Sequence, residues 1–568
     1  MSKGTSEPRR LFEADVLVVG GGLAGCTAAI KARVAGVSVI LVDKGYVGKS
    51  GQTPFAGSYC VFNPEWGDDL DAWMQQIDSV GEYVNNRTWT ELCLKESYER
   101  YSELLSWGVK FGPEGNLRPG EEPPRGGPPI GPCKAVMMAA RQPSMVLRRE
   151  VLRHGATVLD RIMVAELLVA DGRVIGGVGI PMDSDGLVVL RAKAVVLAAG
   201  AGGFRPTRWP INNLTSDADC MAYRVGAEIT GKEFADPHSA RADQAVSPFF
   251  GRLGLGPKGA GPPRGVQVDA EGNRPPAARG LYLNLDFAAH QGHAPIYFEG
   301  EEGDRYRVVG GAASGMSTHK AEGIWPAGTD CSCNVPGLYA AGDSLGTMQS
   351  GATYGAIGQS VLGCSVTGAR AGAAAAAHAR AQGAAEHAEP DVDTVADSVT
   401  APLKRAGGFG PRWVTRMLQN TMIPYYVMYV KHGDRLQAAL TNVEFFRDHL
   451  VPRLYAGDQH ELRLVHETRN MVLNAEMRLR ASLFRTETRG CHYREDYPLR
   501  DDEEWLAWVI LKKGAGGAME VSKRPVPAEW HPDPSLPYEE RYPTRVPGEK
   551  KALETGGAPS AANESGPA

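Results

Sequence analysis

One stretch limits what this chain can fold into more than any other. An apolar run at residues 16–19 leads into Gly20-Gly21-Gly22-Leu23-Ala24-Gly25, after which Ala28, Ala29 and Ala32 fall at helical spacing. A second apolar run at 37–42 ends at Asp43. Strand, glycine turn, helix and strand in that order predict a βαβ crossover over a parallel sheet. The glycines let backbone approach a pyrophosphate closely, while the helix start offers unpaired N–H groups and a positive dipole end. Asp43, at the tip of the second strand, is placed to accept the hydroxyls of an adenosine ribose. A bare glycine-rich turn is the competing reading, and the flanking strand, helix and carboxylate weigh against it.

A chain of 568 residues exceeds one compact core, and 43% hydrophobic residues fill more than one. Beyond the crossover, a helical pattern covers about 69–107, and a Pro/Gly-dense stretch at 112–132 reads as a surface loop. Strand patterns follow at 156–160, 163–169, 174–180, 187–190 and 194–199. A block rich in Gly and Pro, with a short strand at 281–285, fits an inserted lid. A buried strand then ends at Asp343, a small-residue helix runs over about 355–381, and amphipathic helices fill 400–480. The last residues, 556–568, have the composition of a disordered tail.

Charge and cysteine usage exclude several classes. With 61 basic and 66 acidic residues the net charge is −5, which favours neither nucleic acid nor anionic lipid. Nine cysteines without a CxxC pair argue against a disulfide framework, a zinc site or a bound iron–sulfur cluster, so no metal is expected and a reducing cytoplasm fits. The first ten residues lack the apolar stretch of a secretory signal, and Arg9-Arg10 is only an echo of a twin-arginine motif. No window supplies the ~20 apolar residues of a membrane span. The Ala-rich run at 371–377 is broken by His378 and Arg380.

The crossover alone suits NAD or FAD, and three downstream features select FAD. Ala198-Ala199-Gly200-Ala201-Gly202-Gly203 closes a strand with small residues and leaves room for a cofactor. Gly337-Leu-Tyr-Ala-Ala-Gly-Asp343 delivers a carboxylate where a ribityl hydroxyl would lie, a buried turn aspartate being the alternative. Ser360 and Val361, at a helix start after Gly358-Gln359, offer N–H groups to negative charge on a reduced flavin's pyrimidine edge. The expected cofactor contacts are Gly20, Gly22, Leu23, Ala24, Gly25, Asp43, Lys44, Ser50, Gly51, Gln52, Thr53, Val164, Ala199, Gly200, Asp217, Asp343, Ser360 and Val361.

The most specific stretch is Arg485-Thr-Glu-Thr-Arg-Gly-Cys-His-Tyr-Arg-Glu-Asp-Tyr-Pro-Leu-Arg-Asp-Asp-Glu-Glu-Trp505. It is similar to the ESRGAHxREDYPxRDDxxW segment of the succinate dehydrogenase/fumarate reductase flavoprotein family, which includes L-aspartate oxidase and the adenylylsulfate reductase α subunit. The resemblance runs from about residue 14 to 510. It implies an α/β architecture: a Rossmann-like FAD-binding domain (1–214 and 331–395), an inserted α+β capping domain (215–330), a C-terminal helical domain (396–513) and an extended tail (514–568). It also implies hydride transfer between flavin and a small-molecule substrate. The electron partner would be an iron–sulfur or other protein, a quinone or another acceptor, and a homo-oligomer is compatible.

Ser50-Gly51-Gln52-Thr53 stands where covalent members attach flavin to a histidine, so the FAD is expected to be non-covalent. Glu233-Phe-Ala-Asp-Pro-His238 resembles the family's E-F-x-x-x-H segment, which makes His238 the leading substrate-facing residue, against a loop histidine satisfied by backbone. His319 stands near the second active-site histidine, one position out of register. The departures count equally. Where fumarate reductases read HGANRLGSNSL, with an arginine on a substrate carboxylate, this chain reads Gln349-Ser-Gly-Ala-Thr-Tyr-Gly-Ala-Ile-Gly-Gln-Ser-Val361. The bidentate clamp is lost unless another arginine enters from the lid, and succinate and fumarate become poor candidates. Arg274 and Arg279 match the proton-donating arginine segment only loosely, and the histidine of adenylylsulfate reductase is replaced around Met348-Gln349. Tyr354 is a candidate proton handler in the vacated space, and Arg241, Arg252 and Arg264 are lid cations more in keeping with a surface role. A peroxide-producing oxidase and a flavin-bearing electron-transfer subunit remain alternatives.

Overall fold

A computed structural model describes residues 9–112, 122–123, 125–126, 131–138, 142–205, 213–235, 240–241, 265–273, 290, 292–300, 305–309, 321–382 and 390–555. The crossover forms as β1 (Arg9–Val19), α1 (Leu23–Val34) and β2 (Val39–Val42). Val16, Leu17, Val18 and Val19 are buried and pair in parallel with β2 on one side and the strand Leu187–Leu197 on the other. The seven-stranded sheet runs Thr157–Leu159, β2, β1, Leu187–Leu197, Arg173–Pro181 and Ile162–Ala170, with Leu338–Ala340 also pairing Leu187–Leu197.

Both central strands exceed their sequence pattern. β1 starts at Arg9 because its polar half pairs with residues 187–192, and the breaks expected at 191–193 do not occur. Arg191 and Lys193 turn outward to Glu13 (3.9 Å) and Asp15 (2.9 Å) on β1, so the apolar pattern lapses while the backbone ladder continues. The small-residue helix Gln359–Gln382 crosses α1 in backbone contact. A Cβ on Gly368 would lie 2.4 Å from Ala24 O, and one on Gly372 2.2 Å from Ala28 O.

The described ends of the 215–330 stretch pack on the main body. The helix Asp217–Arg224 packs on Ile162–Ala170 and on the long helix Gln459–Phe484, and Ile229–Thr230 pairs with Gly323–Ile324 and with Ala507–Lys513. Buried Ala227, Ile229, Ile324 and Leu511 anchor these segments in the main body. A further four-stranded sheet, the candidate capping sheet, is antiparallel, in the order Ala240–Arg241, Arg305–Val309, Ile296–Gly300, Gly265–Val268. The strand expected at 281–285 lies outside the described residues.

Helices Pro411–Met422, Gly433–Phe445 and Gln459–Phe484 share a core of Val414, Leu418, Leu436, Leu440, Leu462 and Val472 that continues onto Leu168 and Ile180 of the sheet. The extended tail expected from 514 is instead folded as far as 555. Ala507–Lys513 turns into the antiparallel strand Met519–Pro525, and Tyr542 and Glu549 return, buried, to the body. The 112–132 stretch also holds a two-residue strand, Arg125–Gly126, because the Arg125 guanidinium reaches Asp68 and lies 4.8 Å from the Trp66 ring. None of the nine cysteines is in a disulfide. Among the described residues no helix is long and apolar enough to cross a membrane, and no group of His, Cys, Asp and Glu is arranged to hold a metal.

Candidate cofactor and substrate site

The glycine turn is forced by close approach. Gly20 has φ +108° and a Cβ there would lie 2.2 Å from Ala198 O. A Cβ on Gly25 would meet Gly20 O at 1.8 Å. Gly22 opens α1 without a side-chain cap, and the Leu23 N–H donates to Thr53 Oγ1 at 2.9 Å. Asp43 is buried at the end of β2. Its Oδ2 accepts from Gly21 N–H (2.7 Å) and its Oδ1 from Gly45 N–H (2.6 Å). Each oxygen keeps lone-pair capacity for a ribose hydroxyl. Ser50 Oγ accepts from Tyr46 N–H at 2.8 Å, closing the 46–50 turn that precedes Gly51, Gln52 and Thr53.

The opposite wall comes from distant sequence. Ala199 and Gly200 follow the strand Leu187–Leu197, and Gly200 O accepts from Ser344 Oγ at 3.1 Å. Next to Ser344, Asp343 Oδ1 accepts from Ser360 Oγ at 3.1 Å, and a Cβ on Gly342 would touch Ala24 Cβ at 2.7 Å. Asp343, Ser360 and the adjoining Val361 thus gather beside the start of α1. Lys44 and Asp217 engage each other. Lys44 Nζ lies 2.8 Å from Asp217 and 3.1 Å from Glu467, and although burial pushes the Asp217 carboxyl up, Lys44 holds it below its usual range. Val164 is buried in the sheet, a methyl facing Gly177.

Tyr354 and Ser360 meet directly: the phenol oxygen accepts from Ser360 N–H at 2.6 Å. Burial raises this phenol well above 10, so it stays protonated. The donor expected to serve the flavin's pyrimidine edge is therefore engaged by the residue expected to handle protons.

The loop at 348–353 is clamped from two sides. Met348 has φ +53°, its carbonyl accepts from Asn86 N–H (2.8 Å), and Ala352 N–H donates to Gly81 O (3.0 Å). On the other side Cys491 N–H donates to Ala352 O at 3.0 Å. Within the clamp, Gln349 Nε2 donates to Gln359 O (3.1 Å), Gln359 Nε2 to Gln349 O (2.9 Å) and the Cys93 thiol to Gln349 Oε1 (2.8 Å). An uncharged network fills the stretch that lacks a carboxylate-binding arginine. Among the described residues three buried arginines nearby are paired with carboxylates: Arg485 with Glu233 and Glu487, Arg489 with Glu487 and Asp502, Arg500 with Glu82 and Glu549. His238, His319, Arg252, Arg264, Arg274 and Arg279 lie outside the described residues, and Arg241 is described only as strand backbone. Sequence reasoning did not single out Glu82, Glu487 or the Gln349–Gln359 pair: Glu82 meets Arg500 only through the fold, and the spacing of the other two carries no signature of pairing.

A glycine cradle with Asp43 on one wall and the Asp343–Ser360 pair on the other fits FAD and defines a dinucleotide-binding flavoprotein. Residues 15–312 match the FAD binding domain family and 415–542 the fumarate reductase flavoprotein C-terminal family. The chain belongs to the succinate dehydrogenase/fumarate reductase flavoprotein family and is an FAD-binding oxidoreductase. It is 26% identical to one subunit of the CoM/CoB fumarate reductase of Methanothermobacter marburgensis, over 89% of this chain and 98% of that one. It is also 26% identical to an L-aspartate oxidase of Mycobacterium leprae, over 88% and 95%. Its fold matches E. coli quinol fumarate reductase at a TM-score of 0.78 and 20% identity, covering 94% of this chain and 99% of that one.

Proposed function

We propose that this chain passes a hydride between non-covalently held FAD and a small organic substrate other than fumarate or succinate. Electrons are exchanged with an iron–sulfur or other electron-transfer protein, a quinone or another acceptor. The observation that carries the proposal is the uncharged Gln349–Gln359 network in place of an arginine clamp, with the neighbouring arginines bound to carboxylates. Among the described residues a dicarboxylate there would lose its water without gaining a bidentate partner.

Bound flavin supplies two-electron chemistry. Asp43 would hold the ribose, the α1 start would face the pyrophosphate, and Asp343, with Ser360 Oγ beside it, would reach the ribityl chain. His238 orients the substrate, with His319 or Tyr354 managing its proton, and the capping sheet excludes water. Nine cysteines without a disulfide accord with a reducing cytoplasm.

The test is anaerobic. Yellow holoprotein mixed with enones, aromatic acids, amino acids and dicarboxylates is expected to bleach with a compound outside the C4-dicarboxylates, and acid precipitation should release all FAD into the supernatant. Bleaching by succinate alone, or flavin left on the pellet, refutes the proposal.

A further inference from the structure

Three stretches far apart in sequence meet at one wholly buried amine. Lys431, in the two-residue strand Val430–Lys431, is 3% exposed. Its Nζ donates to Glu233 O at 2.5 Å and to His492 Nδ1 at 2.9 Å. His492 Nε2 lies 3.1 Å from Arg485 O, so the ring is the neutral tautomer that donates from Nε2 and accepts at Nδ1. Burial, with Lys431 and Arg494 alongside, keeps that ring well below 6.5 and uncharged.

Both acceptors lead to the substrate end. Glu233 opens the segment running to His238. His492 follows Cys491, whose N–H holds Ala352 O, so the same amine bears on the loop that replaced the arginine clamp. Phe234 lies edge-on to the His492 ring at 6.5 Å, packing the two stretches together. Beside Lys431 is a cavity of about 10 Å³ lined by Lys232, Glu233, Arg478 and Ser482, the size of one water. Glu233 Oε2, in a fully buried residue, has no hydrogen-bond partner among the described residues, while its Oε1 accepts from Arg485 Nε at 3.1 Å.

We propose that Lys431 is a positioning residue of the substrate site, tying the segment that enters His238 to the loop at 348–353 through Glu233 O and His492. The inference rests on reading that segment as substrate-facing. The amine is also a switchable tie. The groups facing it are Glu233 from the entering segment, His492, Cys491 and Arg494 from the C-terminal segment, Arg478 from the long helix and Lys232 across the cavity. Burial brings the amine down to about 7, so the closed arrangement favours the neutral amine, which still donates to its acceptors, and protonation loosens the tie.

Hydrogen–deuterium exchange of the holoprotein tests this directly. With intrinsic rates corrected, exchange over 229–235 and 348–354 in wild type is expected to fall roughly tenfold between pH 6 and 8.5, because an opening that wets the amine takes up a proton the closed site does not hold. K431R, which stays charged, should show no pH step, and K431M, which lacks the donor, should show high exchange at both values, with residues 9–42 unchanged in every case. A wild-type pH step that persists in K431R, a K431M variant with wild-type exchange over 229–235, or a uniform rise across the chain overturns the inference. The substrate-facing role of the segment has its own test: if H238Q is bleached by the best panel compound at the wild-type rate, that role fails whatever Lys431 does.

Discussion

Asp43 offers the sharpest quantitative handle on cofactor binding. Its two oxygens already accept from Gly21 and Gly45 at 2.7 and 2.6 Å, and the same oxygens are the expected acceptors for two ribose hydroxyls. Hydrogen bonds to a charged group contribute about 1.5–3 kcal/mol each, so losing both costs about 3 kcal/mol at the low end. That corresponds to a Kd for FAD roughly 150-fold weaker in D43A. D43A also strands two buried N–H groups, which would lower stability by about 1–3 kcal/mol each. D43N is the cleaner variant, because it removes the charge while keeping the shape and one acceptor, and roughly a tenfold loss is expected. Apoprotein titrated with FAD, read by quenching of flavin fluorescence, gives both constants. D43A binding FAD within threefold of wild type would refute this use of the carboxylate.

Y354F should keep its FAD yet be bleached by the active panel compound roughly a hundredfold more slowly; a rate within twofold of wild type removes the tyrosine from proton handling. A chain ending at Val526 loses Tyr542 and Glu549, which partner Arg489 (3.1 Å) and Arg500 (2.6 Å). Its thermal midpoint should fall while FAD is retained, and an unchanged midpoint would show that the C-terminal strap contributes nothing. Lys431 sets a pH dependence. Between about 7 and 10.5 the unfolded chain holds a proton at this lysine that the folded chain lacks, so this contribution to stability rises with pH. The midpoint of K431M minus that of wild type should therefore be larger at pH 7 than at 9.5; an equal difference at both sinks the assignment.

The nucleotide-binding half was legible because its signals are contiguous: Gly20 to Asp43 carry turn, helix and acceptor within one crossover. The register of β1 was less legible, since Arg191 and Lys193 break the apolar pattern while leaving the ladder intact. The folded stretch from 514 to 555 was hidden by its Pro and Gly content, because its order comes from contacts with Arg489, Arg500 and Asp502 rather than from local propensity. The Lys431 node had no signature at all, for Glu233, Lys431 and His492 come together only through the fold.

The uncharged substrate end is tested most directly by stopped flow. Enzyme photoreduced to the colourless flavin and mixed anaerobically with millimolar fumarate is expected to stay reduced, while a non-dicarboxylate acceptor found in the panel restores the yellow spectrum. Rapid reoxidation by fumarate would show that a carboxylate clamp exists after all and would contradict the proposed chemistry.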